Sequence, residues 1–143
     1  MIRLSDRLWV GDSSVTAREV RTHKIKALLN VAQDLRGEMG WPDTEYMQVG
    51  LIDGPGNPIQ VYCAAALSLW TLAKRHRTLV FCHTGGRSLA VAVMYMNVAA
   101  GHSWDGIMSL LAESVDTELP VPHEAHMAAF DKMDWQLLRR LCL

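Results

Sequence analysis

The chain has 143 residues, half of them hydrophobic and a fifth charged, with a formal net charge of −1. That length supports a sizeable core and one domain, expected to span 1–143, and the near-neutral balance excludes a global basic surface for nucleic acid or an anionic membrane. The three cysteines, Cys63, Cys82 and Cys142, form no CxxC pair, so neither a zinc site nor a disulfide framework is expected, and free thiols in a reducing cytoplasm are.

Residues 1–10 carry Arg3, Asp6 and Arg7 and no apolar stretch, unlike a secretory signal. "RLWVG" (7–11) reads as a strand. "DSSVTAREVRTHK" opens on helix-capping residue types and predicts a helix to about Lys24. The continuous apolar run 25–32 predicts a strand buried on both faces, and 44–52 a further strand. "DGPGNP" (53–58) is a loop by composition. A helix follows over 59–75, a strand over 78–82, and a helix over 88–100 that Gly101 stops. Two more helices are predicted over 104–114 and 123–140. The longest apolar run, 89–100, is interrupted by Asn97 and too short to span a bilayer. Strands alternating with helices predict an α/β fold, a central mostly parallel sheet flanked by helices. Such sheets bind ligands at the carboxyl ends of their strands, where Cys82 and Asp53 both fall.

The stretch "VFCHTGGRS" (80–88) carries the chemistry. Gly85 and Gly86 permit positive φ and let backbone N–H groups turn inward, and the following helix adds unpaired N–H groups and the positive end of its dipole. His83, Thr84, Gly85 and Gly86 therefore read as an anion-binding loop. Arg87 contributes a planar cation that binds an oxyanion bidentately. In that field Cys82 is expected to ionise readily and act as a nucleophile. A small cysteine buried at a strand end is the alternative for the sulfur taken alone.

The order and spacing of "LWVG", "ALLNVAQD", "DGPGNPI", "VFCHTGGRS" and "AAGHSWDGIMSLL" resemble the dual-specificity branch of the cysteine-dependent protein tyrosine phosphatases. The resemblance covers most of the chain, from "LWVGDSSVTARE" to "PVPHEAHMAAF". It implies a cofactor-free phosphatase with Cys82 as nucleophile, forming a phosphocysteine that water hydrolyses. It further implies Arg87 as holder of the phosphoryl oxygens, Ser88 as hydrogen-bond partner of the departing sulfur, and Asp53 as general acid and then base, with a bell-shaped pH dependence. The substrate is then a phosphorylated protein or a small phosphorylated molecule, with neither nucleic acid nor membrane as partner. The family writes HCxxGxxR; this chain has Phe81 in place of the histidine and one residue fewer between Cys82 and Arg87. The shorter CxxGxR spacing is similar to the loop of rhodanese-type sulfurtransferases. Sulfur transfer through a Cys82 persulfide is therefore one alternative, and a phosphate-binding pseudophosphatase another.

Other residues have a bland reading beside a functional one. Asp53 before Gly and Pro is also good turn chemistry, and Asp34 and Asp43 are reserve acids. His83 either faces solvent and tunes specificity or is merely tolerated. His123 and His126 share a helical spacing but lack a third ligand for a metal, and no metal is expected. Trp41 beside Pro42 either packs or lines the pocket. Arg36 is a weak candidate for guiding an anion, and Arg139 and Arg140 fit a solvated helix terminus.

Overall fold

A computed structural model describes residues 1–36 and 43–142; Trp41 and Pro42 lie outside them. Five strands form one sheet in the order β1-β2-β5-β3-β4: β1 Ile2–Arg3, β2 Leu8–Gly11, β3 Ala27–Ala32, β4 Glu45–Leu51 and β5 Thr78–Phe81. Four strands run parallel, and β1 pairs antiparallel with β2 at the edge. This is the α/β arrangement expected from the sequence. β1 was not expected, because a two-residue strand is too short to show any period.

Alternation along the strands sorts two cores. Leu8, Val10, Leu29, Val31 and Val80 join a large cluster with α2 (Ile59–Arg75), α3 (Gly86–Ala100), α4 (Trp104–Ser114), α5 (Glu124–Lys132) and α6 (Trp135–Cys142). Trp9, Leu28, Leu79 and Phe81 face the other way, toward Val15, Val20 and Ile25 around α1 (Ala17–Thr22). All six residues of β3 are buried, as its unbroken apolar run predicts. Phe81, which stands where the phosphatase motif has histidine, is a packing residue of the smaller core.

Three helices differ most from expectation, and α3 is one, starting at Gly86 rather than 88. The first helix starts at Ala17 rather than near Asp12. Asp12 uses its carboxylate on the backbone N–H of Ser14, which turns the chain. Thr16 then caps, with Glu19 N–H on its Oγ1 and its own N–H on Glu19 Oε2, a capping box. The expected helix over 123–140 is two helices. Met133 is extended, and Asp134 caps a new start by accepting from Leu137 N–H. Apolar periodicity alone does not register such a break, because Met133 and Leu138 are buried in the same core.

α2 shows why the scaffold is rigid. Its buried residues Tyr62, Ala65, Ala66, Leu69, Leu72 and Ala73 form one stripe at helical spacing. Each fully buried leucine contributes about 1.5–3 kcal/mol. α3 is almost wholly buried along Gly86–Met94 and ends on Gly101 at φ 69°. The loops after β2, β3, β4 and β5 all emerge at one edge of the sheet, which brings Ser13, Asp34, Asp53 and Cys82 together.

Candidate active site

Cys82 follows the last residue of β5 and is fully buried. Its sulfur accepts from the N–H groups of Gly85, at 3.1 Å, and Ser88, at 3.4 Å. Two backbone donors aimed at one sulfur stabilise negative charge there. Ser88 Oγ lies 3.4 Å from the sulfur. It accepts from the Cys82 thiol there, and its own single proton is shared between the carbonyls of Gly11, at 2.9 Å, and Gly85, at 3.0 Å.

The loop is held by partners outside the motif. Ser13 donates to the carbonyl of His83 through both its N–H, at 3.2 Å, and its Oγ, at 3.0 Å. His83 itself is exposed, with Nδ1 3.4 Å from Ser13 Oγ, and Thr84 is exposed beside it. Gly85 sits at φ 94°, where an added Cβ would come within 2.8 Å of Pro120 Cγ. Gly56, in the loop after β4, has a similar φ of 104° with open space around it. Gly85→Ala therefore combines backbone strain with a clash, whereas Gly56→Ala meets only strain. The expected loss in denaturant unfolding is about 1–3 kcal/mol for Gly56→Ala and larger for Gly85→Ala. Equal losses would mean that Pro120 yields freely.

Arg87 is the most enclosed charged side chain among the described residues, with 2% of its surface exposed. Nη1 donates to Asp34 Oδ1, at 2.6 Å, and to the carbonyl of Leu51, at 2.8 Å. Neither bond uses the Nε–Nη2 edge, and the buried Nε has no acceptor. The guanidinium is thus locked by one corner while its fork-shaped edge retains donors for an oxyanion. The Arg87 hydrogen bond holds the Asp34 carboxyl below the usual carboxylate range. Asp34 is therefore ionised at neutral pH and serves as the arginine's anchor, which corrects its reading as a reserve acid. Asp43 precedes β4 at the opposite end of the sheet and is no reserve acid either.

Asp53 is half-exposed and lines a cleft of about 430 Å³ together with Gln33, Asp34, Ile52 and Arg87. Asn57 shapes its loop. The Asn57 side chain accepts from Ile52 N–H at 2.7 Å and donates to Ile52 O at 2.8 Å. His126, on α5, is fully buried; Nδ1 lies 2.6 Å from Tyr62 Oη and Nε2 lies 3.8 Å from Asp53 Oδ1. His123 spends its Nδ1 on the N–H of Ala125 as a helix cap. Among the described residues no group of three or more His, Cys, Asp or Glu could hold a metal. Arg36 is exposed. Arg139 is not merely a solvated terminus, since Nη2 donates to Asn97 Oδ1 at 2.9 Å and ties α6 to α3. Sequence reasoning missed Ser13, Asn57, Tyr62 and the anchoring role of Asp34. Only "QD" after β3 and "N" inside the loop after β4 gave a polar signal. Their partners lie far away in the chain.

The sequence matches no family model and no curated protein. Solved structures do match over nearly the whole chain. DUSP15 superimposes with a TM-score of 0.80 at 15% identity, covering 98% of this chain and 92% of that one. The human tyrosine phosphatase-like serine/threonine/tyrosine-interacting protein gives 0.77 at 16%, covering 96% and 97%. TpbA of P. aeruginosa gives 0.74 at 15%, covering 98% and 88%, and a cysteine-to-serine variant of TpbA has been solved in complex with pTyr. This chain has the fold of the dual-specificity phosphatases. No helix among the described residues is long and apolar enough to cross a membrane.

Proposed function

We propose that the protein is a cysteine-dependent phosphatase acting on phosphate monoesters of a phosphorylated protein or small molecule. The observation that carries this reading is the buried, acceptor-less Nε of Arg87, on a guanidinium locked by Asp34 and Leu51. Such an edge suits two oxygens of one phosphoryl group. The loop of His83, Thr84, Gly85 and Gly86 supplies backbone donors beside it. The Cys82 thiolate attacks phosphorus, so that an S–P bond forms as the P–O ester bond breaks. Asp53 gives its proton to the leaving oxygen. Water then attacks phosphorus and passes its proton to Asp53, and the S–P bond breaks while Ser88 Oγ hydrogen-bonds the departing sulfur. One observation favours a second reading, sulfur transfer: in this six-residue ring the N–H groups of Gly85 and Ser88 close on the sulfur itself.

The role of Asp53 separates the two. An alkyl phosphate leaves poorly and needs an acid, nitrophenolate needs it little, and the sulfite expelled from thiosulfate needs none. Asp53→Asn should slow an alkyl phosphate by about 10²–10⁴-fold and nitrophenyl phosphate far less. Steady-state assays of both esters, with thiocyanate formation from thiosulfate and cyanide in parallel, test this. Cys82-dependent thiocyanate without phosphate release from any ester would replace the phosphatase reading with sulfur transfer.

A further inference from the structure

The mechanism above leaves His126 unused, although it is fully buried and its Nε2 has no hydrogen-bond partner. Buried ring nitrogens ordinarily find one. The proton positions around it follow from its neighbours. Asn57 is oriented by the backbone of Ile52, so its Nδ2 donates to Tyr62 Oη at 3.3 Å. The single phenolic proton of Tyr62 is then directed at His126 Nδ1, 2.6 Å away. A neutral imidazole that accepts at Nδ1 carries its proton on Nε2. That N–H faces Asp53 Oδ1 across 3.8 Å.

We propose that His126 is a positioning residue for Asp53: its Nε2–H donates to Oδ1, so that Oδ2 presents the proton to the leaving oxygen and later takes one from water. This rests on the reading of Asp53 as the acid. The present separation exceeds a hydrogen bond, and a shift of about 1 Å by the half-exposed Asp53 closes it. The groups around the imidazole are Tyr62 from α2, Asp53 from the loop after β4, His123 from the start of α5 and Arg87 from α3. Burial pushes the imidazole down, and Asp53 pulls the other way with less effect. His126 is therefore a neutral donor of fixed tautomer at neutral pH, not a second cation beside Arg87.

The experiment compares parent, His126→Phe, His126→Gln, Tyr62→Phe and Asp53→Asn on an alkyl phosphate and nitrophenyl phosphate. His126→Phe should lower kcat on the alkyl ester by about 10–100-fold and barely change nitrophenyl phosphate. His126→Gln, whose amide also donates, should recover most of the loss. Tyr62→Phe, which frees the tautomer, should give a smaller loss of the same kind. In the Asp53→Asn background His126→Phe should add nothing. Equal slowing of both esters by His126→Phe, or no recovery with Gln, overturns the positioning role while leaving the acid intact. Asp53→Asn without leaving-group dependence overturns the acid reading and the inference with it, as does a parent that turns over neither ester. A readout independent of turnover and of how well His126→Phe folds is nitrogen NMR of the His126 ring. It should show the Nε2–H tautomer, with a titration midpoint that falls in Asp53→Asn. A midpoint unmoved by that substitution, or a proton found on Nδ1, also overturns the proposal.

Discussion

Cys82→Ser should reduce phosphate release to background, a loss on the order of 10⁴–10⁶-fold for removal of a covalent nucleophile. A serine hydroxyl is almost fully protonated at neutral pH, and among the described residues none of the groups bonded to Cys82 is a base that would remove its proton. Ser88 Oγ is turned to the carbonyls of Gly11 and Gly85, and the N–H groups of Gly85 and Ser88 are donors. The substitution should leave the fold and the anion cradle intact, because a serine Oγ accepts the same two N–H bonds. Thermal unfolding should change little, and inorganic phosphate should still raise Tm, as a ligand of the native state does. Turnover near that of the parent would place the chemistry elsewhere. Loss of the phosphate shift together with turnover would make the sulfur part of the binding site rather than its nucleophile alone.

Arg87→Lys should come next in size, at about 10³-fold or more in kcat/KM, by comparison with other arginines that hold a transferring phosphoryl group. Charge is kept, so a purely electrostatic role predicts a mild effect. The geometry argues otherwise. The guanidinium bonds Asp34 and the Leu51 carbonyl from one nitrogen and holds its other edge free. An ammonium has no second edge. It also leaves either the buried Leu51 carbonyl or the exposed Asp34 without its partner. Asp34→Asn should cost less, because the bond to Leu51 O still orients the guanidinium. Steady-state kinetics on nitrophenyl phosphate check both. Arg87→Lys within a few-fold of the parent would make Arg87 a structural cation.

The chain shows its elements through local physics. Helices α2 and α4 fall on the expected residues, because each pairs an apolar stripe with clear stops. The continuous run in β3 announced a strand covered on both faces. The cysteine loop was legible because nucleophile, glycines and arginine are contiguous, so one strand-to-helix turn brings them together. Where competing local bonds decided the outcome, pattern reading failed. The Asp12 turn delayed α1 to the Thr16 cap, and the Asp134 cap split the last helix.

By itself, then, the sequence determined which residues alternate between helix and strand, the parallel character of the sheet, and the composition of the cysteine loop. Those depend on periodicity and on neighbours within a few residues. Which groups meet across the chain was decided only by the tertiary structure. Asp34 and Arg87 are 53 positions apart and joined by one ion pair. Ser13 and His83 are 70 apart, and Tyr62 and His126 are 64 apart. None of these pairs leaves a local trace, because each forms only when the loops at the carboxyl ends of β2, β3, β4 and β5 converge with α5 beside them. The same convergence turned two reserve acids into an anchor and a bystander, and gave a buried histidine an aspartate to face.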